Sequence, residues 1–490
     1  MRNNKTDKKL LGRREFIGGI SMLTFAGQID PALTEKTFES PEMGKTDERI
    51  RIGIIGFGFR GEQLARAMGF ATEDWIEEQK SKAAKEPRNT TLQEFYDLND
   101  LGVEITGICD VYDSRLKRGG QVFNGTAKVY RDYRQLLTEK TIDAVIIATP
   151  DHWHAAIASD AAKAGKHVYL EKCMTRTAEE AVQLHNIIKT EGVIFQLGHQ
   201  GRQSDSNHKA KQLIDQGTLG KISLVETTTN RNNSFGAWLW PIEEDGSTNT
   251  IDWEMFEGPA ENKMPFDAMR FFRWRCWYDY GTGMAGDLLT HEYDALNSIL
   301  NLGIPNSAVS SGGIYHYQDG RDVPDVFQAN FEYDEQKLSL IYSGTLANGT
   351  PRGTLIMGTD ATLELGKSLR VWAESESTKY KNRIEAGIID PSKPMVNYDR
   401  ENLEIDGLTS ATSKYFADRG LMYTYQGGKR YDTTHLHLAE WLNCIRNGKN
   451  PSCDIDQGFE EAITSHMATV SYRKGKKVFW DDEKEKIVIN

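Results

Sequence analysis

The segment RIRIGIIGFGFRGEQLARAM, beginning at Arg49-Ile50, limits the possible folds more than any other stretch of the chain. Ile52, Ile54 and Ile55 read as a strand, the glycines as a tight turn, and the remainder as a helix. Gly56, Gly58 and Gly61 complete G-x-G-x-x-G between a strand and a helix, the context that gives this short pattern meaning. The first glycine permits the turn, and the second lets backbone approach a pyrophosphate. The third lets helix and strand pack closely, and the helix N-terminus presents N–H groups to phosphate. Phe57, Phe59 and Arg60 lie in the same turn and are candidate cofactor contacts.

A second strand, in VEITGICDVYDSRL, ends at Asp110. An acidic residue there accepts from both ribose hydroxyls of NAD and repels a 2′-phosphate. The separation from the glycines exceeds the usual ~20 residues. The excess is a charged, helical-looking insertion, FATEDWIEEQKSKAAKEPRNTTLQEFYDLND. The Asp110 assignment therefore rests on strand pattern rather than spacing. Arg115 nearby keeps NADP possible, with NAD preferred.

In TIDAVIIATPDHWHAAIASDAAKAGKHVYLEK, Ala144 to Ala148 forms a continuous apolar strand, as expected where both sheet faces are covered. Thr149-Pro150 ends it, a helix is expected from about His154, and His167 to Leu170 forms the next strand. The alternation predicts a doubly wound parallel sheet, whose ligands bind at the carboxyl ends of the strands. Thr149, Pro150, His152, His154, Glu171 and Lys172 all fall there. His152 and His154, two apart with no third ligand nearby, make a poor zinc site. They are expected to cap the helix and line the cofactor pocket, and no metal is expected.

A new strand pattern begins near Ile222, and SLIYSGTLANG and GTLIMGTDATLEL alternate like strands of a mixed or antiparallel sheet. Aromatics are dense in FGAWLW, IDWEMFEGPA and RFFRWRCWYDYG. Aromatic faces beside polar groups suit sugar rings, although most such side chains serve the core. Tyr280 in the last run is a candidate substrate contact. In GTGMAGDLLTHEYDAL, Asp287 and His291 are four apart and Asp294 follows at three, so a helix would put all three on one face. A carboxylate one turn from an imidazole can orient it for proton transfer. The same spacing also fits an N-cap aspartate beside a structural histidine.

The balance of 71 acidic against 59 basic residues gives a net charge of −12, which disfavours nucleic acid or an anionic membrane surface as partner. The 490 residues suit two or three domains. Five scattered cysteines without a C-x-x-C pair indicate neither a zinc ribbon nor a disulfide framework. The N-terminal MRNNKTDKKLLGRREFIGGISMLTFAG has a basic start, Arg13-Arg14, and a short, moderately apolar run from Phe16. This reads as a twin-arginine export signal, followed by a polar linker to residue 48. The expected location is the periplasm or the outer face of the cytoplasmic membrane. The apolar run is too short for a stable membrane span.

Together the stretches GIIGFGFRG, CDVYDSR, VIIATPDHWH, HVYLEKCMT, IDWEMFEGP, GTGMAGDLLTHEYDAL and HLAEWLNCIRNGKNPSCDIDQGFEEA resemble the Gfo/Idh/MocA family from about residue 50 to 480. The resemblance implies a Rossmann domain over 49–198. It implies an α+β domain over 199–490, with a large, mostly antiparallel open sheet for substrate binding and oligomerisation. It implies hydride transfer from a ring carbon of a carbohydrate to NAD(P), by a homodimer or homotetramer, and the export signal adds the expectation that the cofactor is tightly bound. A redox-neutral glycoside-cleaving cycle and a non-catalytic sugar binder are the alternatives. The family's Glu-Lys-Pro carries over to Glu171 and Lys172, and its aspartate and histidine to Asp287 and His291. Lys172 would then hold the reacting hydroxyl, with His291 as acid/base. Position 173 is cysteine rather than proline, which leaves a thiol expected close to the cofactor. Gln200 and Arg202, in QLGHQGRQ, are expected to contact cofactor amide and substrate.

Overall fold

The structure is a computed structural model that describes residues 49–86, 89–123, 125–366, 369–398, 423–426 and 429–489. The twin-arginine pattern and its linker lie outside the described residues.

Six parallel strands build the first sheet: β1 (Ile50–Ile55), β2 (Val103–Cys109), β3 (Lys128–Tyr130), β4 (Ala144–Ile147), β5 (His167–Leu170) and β6 (Phe195–Leu197). Their order is β3-β2-β1-β4-β5-β6, so it reverses between β1 and β4. A ligand crevice is expected at that switch point. Every residue of β4 is buried, as its uninterrupted apolar run requires with helices on both faces. The helix after β4 spans Asp151–Lys163, three residues earlier than expected, because Pro150 is already extended and serves as N-cap. The insertion between β1 and β2 folds as helices Glu73–Lys85 and Thr91–Tyr96. After β5, Thr177 and Glu180 form a reciprocal capping box that starts the helix Ala178–Glu191.

The second sheet has ten strands: β7 (Ile222–Asn230), β8 (Ser307–Gly313), β9 (Val326–Tyr333), β10 (Leu338–Thr345), β11 (Thr354–Gly358), β12 (Ala361–Leu365), β13 (Leu369–Ala373), β14 (Val396–Tyr398), β17 (Val478–Asp481) and β18 (Lys486–Ile489). A separate hairpin, β15 (Tyr423–Gln426) with β16 (Lys429–Asp432), lies between β14 and β17 in sequence. The order is β14-β13-β12-β11-β7-β10-β9-β8-β17-β18. Only the β7–β10 pairing among those described in it is parallel. β9 and β10 alternate buried and solvent-facing residues along their length, so one face of the sheet packs and the other is wetter.

The two halves share more than a linker. The helix Thr433–Asn447 lays Leu438, Trp441 and Leu442 against Ile52, Ile54, Ile146 and Tyr169 of the first sheet. The opposite face of that sheet, through Ile55, Val145 and Ile147, joins the core that continues beneath the second sheet. No helix among the described residues is long and apolar enough to cross a membrane.

Candidate functional site

A cavity of about 420 Å³ opens at the β1–β4 switch point and runs toward the second sheet. The glycine turn forms one end. Gly56 has φ +89°, and a Cβ there would meet the Ala148 backbone at 2.7 Å. A Cβ on Gly61 would collide with the Gly56 carbonyl, so this glycine sets helix–strand packing and stays out of the cavity. Gly58 differs: a Cβ there would meet nothing within 4 Å, because the turn faces open space at the start of the helix Phe59–Ala67. The Phe57 N–H donates to Asp110 Oδ2 at 2.7 Å and the Tyr112 N–H to Oδ1 at 3.0 Å. The Phe57 ring turns into the core, at 0% exposure, against Phe123. Burial pushes the Asp110 carboxyl up, and those N–H donors together with Arg115 oppose the rise.

The Thr149 hydroxyl is buried on the cavity wall with no protein partner among the described residues. Pro150, Phe59 and Gln200 line the same wall. Arg60 fixes this region by donating to Glu171 Oε1 at 2.7 Å and to Gln200 Oε1 at 3.2 Å. An open glycine turn at a helix N-terminus, an acidic strand end and an orphaned hydroxyl fit a dinucleotide. Gly58→Ala tests this fit. At φ −74° alanine adopts the same backbone, so stability should match the parent or exceed it by up to about 1 kcal/mol. The methyl occupies the approach to the pyrophosphate, so NAD+ affinity should fall on the order of tenfold or more by calorimetric titration. Unchanged affinity would move the phosphates elsewhere.

At the other end Lys172, on the loop after β5, donates through Nζ to the Asp287 carbonyl at 2.9 Å and to Asp287 Oδ1. The Lys172–Cys173 peptide is cis. Asp287 lies in a π-helical turn, Ala285–Leu289, that continues into the α-helix Thr290–Leu300. Arg275 Nε donates to Asp287 Oδ1 at 3.0 Å, and Trp238 Nε1 to Oδ2 at 2.8 Å. Burial works against charge on Asp287, but Lys172, Arg275 and Arg231 outweigh it and hold its carboxyl far below the usual range. His291 lines the same cavity. Burial, reinforced by Lys172 and His199, lowers its pKa well below the ordinary value, so the imidazole is neutral at pH 7. An imidazole of this kind is already deprotonated across the mildly acidic range. kcat/KM should therefore show no acid limb between about pH 6 and 7. A limb near pH ~6.5 that vanishes in His291→Asn would contradict the neutral imidazole.

Several expected site residues are placed elsewhere. Arg202 is buried away from the cavity, donating to Asp294 Oδ1 at 2.8 Å, to the Ser452 carbonyl and to Gln457. It ties the helices together rather than facing a substrate. Asp294 goes with it: the π-helical turn and the helix after it leave Asp287 on the cavity and Asp294 behind it. Tyr280 is fully buried, with its hydroxyl on Glu257 at 3.1 Å. His152 and His154 neither cap their helix nor line the cavity. His152 meets the Phe256 carbonyl at 2.8 Å, and His154 bridges the carbonyls of Cys173 and Thr149 at 2.5 and 2.8 Å. Cys173 is buried against Thr282 and the Gly286 carbonyl, and burial pushes its thiol pKa well up, which makes it inert.

His199, Asp294 and Glu461 bring ligand-type atoms within 4.8 Å of one another just behind His291, whose ring centroid lies 5.3 Å from that of His199. The Arg202 guanidinium bonded to Asp294 already supplies positive charge there. Burial opposes charge on His199, but Glu461 and Asp294 raise its pKa. His199 pairs with Glu461, whose own carboxyl burial pushes up.

Trp238, Arg275, Arg231, Trp240, Trp274 and Glu243 also line the cavity and were not singled out from the sequence. Glu243 pairs with Arg115 at 2.6 Å on the part of the cavity lined by Asp110. The aromatic density around Trp238 and Trp274 was the only signal pointing to this wall.

A parallel Rossmann sheet, a glycine-turn cavity at its switch point and a lysine–aspartate–histidine group across from it define a two-domain dinucleotide-binding protein. Residues 50–199 match the family described as Oxidoreductase family, NAD-binding Rossmann fold. Residues 248–479 match its C-terminal alpha/beta domain. The chain belongs to the Gfo/Idh/MocA oxidoreductase family. It is 28% identical over 192 residues to levoglucosan dehydrogenase of Pseudarthrobacter phenanthrenivorans, covering 37% of this chain and 42% of that protein. It is 30% identical over 125 residues to scyllo-inositol 2-dehydrogenase (NADP(+)) of Bacillus subtilis, covering 26% and 35%. These alignments thus span less than half of either relative. The structure of levoglucosan dehydrogenase with NADH and levoglucosan has the same fold, with TM-score 0.57 and 17% identity over 88% of this chain and 99% of that one. Aldose-aldose oxidoreductase from Caulobacter crescentus, complexed with glycerol, gives 0.57 and 14% over 88% and 100%.

Proposed function

We propose that the chain is an oxidoreductase that prefers NAD and oxidises a secondary hydroxyl of a carbohydrate. The observation that carries this reading is the placement of Lys172, Asp287 and His291 on one cavity with the glycine turn. A bound NAD+ supplies the hydride acceptor. Asp287 holds the Lys172 ammonium in place, so that a substrate hydroxyl meets a fixed donor. Neutral His291 takes the hydroxyl proton as the carbonyl forms. Trp240 and Trp274 line the cavity and supply aromatic surface for the C–H side of a sugar. Asp110 and Glu243 place two carboxylates near the ribose, and Glu243 occupies Arg115, which favours NAD over its 2′-phosphorylated form. The sugar-directed names of the two relatives agree with this substrate class.

The test uses purified protein supplied with NAD+ or NADP+ and a set of aldoses, polyols and aryl glycosides. Reduced nicotinamide should accumulate with at least one sugar, and faster with NAD+. Aglycone release without any change in nicotinamide absorbance would replace net oxidation by the closed redox cycle. Failure to bind either nucleotide would remove the enzyme reading altogether. For the export reading from Arg13-Arg14, the companion measurement is mass spectrometry of nucleotide released on denaturation. Export of a folded chain that works outside the cytoplasm calls for a cofactor retained in stoichiometric amount.

A further inference from the structure

Arg60 stands where the glycine turn meets the loops after β5 and β6. It is the second residue of the helix Phe59–Ala67, which starts directly after Gly58. Its backbone N–H therefore belongs to the first-turn donors that a helix leaves without an intrahelical partner. Its side chain reaches along the cavity wall. Nε donates to Glu171 Oε1 at 2.7 Å, Nη1 to Gln63 Oε1 at 2.8 Å, and Nη2 to Gln200 Oε1 at 3.2 Å. All three guanidinium nitrogens thus already serve protein oxygens. The side chain is a bracket between loops rather than a phosphate ligand.

The partners matter by their position. Glu171 directly precedes Lys172. Its side chain is 7% exposed, and it fills a slot that Gly198 leaves open, since a Cβ there would come within 2.8 Å of Oε1. Among the described residues, Arg60 is the ion-pair partner of Glu171. Burial works against the Arg60 charge, but Glu171, with a smaller share from Asp432, keeps the guanidinium protonated. Gln200 directly follows His199, whose ring meets that of His291 edge-on with centroids 5.3 Å apart. Lys172 is thereby held from two directions, at its ammonium by Asp287 and at its backbone by the Arg60–Glu171 pair. A planar fork of fixed donors can hold two loops at once, which a single ammonium cannot.

We propose that Arg60 is a positioning residue that couples nucleotide occupancy of the glycine turn to the placement of Lys172. The Arg60 backbone meets the pyrophosphate at the helix N-terminus, and its guanidinium carries that order to Glu171 and the lysine beside it. This rests on the role given to Lys172 above and adds how its loop is set before substrate arrives.

The experiment is hydrogen-exchange mass spectrometry of the full chain with and without NAD+, comparing residues 52–62 of the glycine turn with residues 168–176 of the loop. In the parent, NAD+ should slow exchange in both. In Arg60→Gln the protection of the glycine turn should persist and that of the loop should be lost. By calorimetry NAD+ affinity should stay within about threefold, while kcat falls by about 10- to 100-fold, as for a misplaced reacting group. Arg60→Lys, which keeps the charge on Glu171 but not the fork, should lie between the two. Glu171→Gln, which removes the other half of the pair, should reproduce the loss of loop protection, so the test does not hang on the folding of one variant. Loop protection that survives in these variants, or that is absent in the parent, would overturn the coupling. A large loss of NAD+ affinity in Arg60→Gln would make the guanidinium a nucleotide ligand and would overturn it as well. The exchange readout needs no substrate, so the two readings separate. A chain that oxidises no sugar leaves the coupling standing, and an active enzyme whose loop ignores NAD+ removes the coupling alone.

Discussion

Lys172→Ala should lower kcat by about 10²- to 10⁴-fold, the range expected for removing a positioned proton-transfer or hydrogen-bonding group. The affinity for NAD+ should stay within about threefold, since the glycine turn proposed to hold its phosphates is contributed by another element, β1 and the helix after it. Lys172 donates twice to Asp287 and lines the wall shared with His291. In the proposed reaction its removal deletes the donor to the reacting oxygen, and it frees Asp287 to relax toward Arg275. Stopped-flow measurement of reduced nicotinamide and calorimetric titration of NAD+ separate the two effects. Loss of nucleotide binding with the residual rate intact would make Lys172 a cofactor anchor instead. A drop in both would implicate the whole loop after β5.

The first sheet and its glycine turn were legible because the relevant forces are local. Strand period, glycine φ and helix start are all encoded within twenty residues of Gly56. Asp110 could be placed from the end of its strand even though the helices Glu73–Lys85 and Thr91–Tyr96 lengthened the spacing. Lys172, Asp287 and His291 were readable through the family resemblance, and they meet on one cavity wall. What misled was side-chain type. Arg202, Tyr280, His152 and His154 carry polar groups that suit ligands, and in the fold they satisfy buried carbonyls and carboxylates. Arg202 reaches its partner Asp294 across 92 residues of sequence, a separation no local pattern reports. Arg275 was overlooked for the converse reason. It sits in RFFRWRCWYDYG among other arginines, and only the short 3₁₀ turn Trp274–Cys276 and its contact with Asp287 select it for the cavity. Glu243 comes from a loop whose role depends on meeting Arg115 of the first half. The helix Thr433–Asn447 likewise owes its place to a distant contact, Trp441 against Tyr169.

Asp287→Asn should damage stability and chemistry together, with the stability part depending on pH in a defined direction. Asp287 accepts from Lys172, Arg275 and Trp238 in a nearly closed environment. The amide has almost the same shape but leaves two neighbouring cations without their counter-charge. Breaking a buried ionic group from one side typically costs about 3–5 kcal/mol, and a loss of that order is expected in urea unfolding at pH 7. The folded-state pKa of Asp287 is depressed far below its unfolded value. Its stabilising contribution is therefore fully present above about pH 4, the ordinary aspartate range, and is lost as pH falls through the folded pKa. The gap between wild type and Asp287→Asn should be widest near neutrality and should narrow as the buffer is taken below about pH 4. Activity should fall by about as much as in Lys172→Ala, because the lysine loses the partner that fixes its direction. A variant as stable as the parent at pH 7 would show that the cations find other counter-charges on their own. A gap that stays constant to low pH would show that the lost energy is packing rather than charge. Full activity in a destabilised variant would confine Asp287 to the fold and leave Lys172 to be positioned by its second bond, to the Asp287 carbonyl, which the amide keeps.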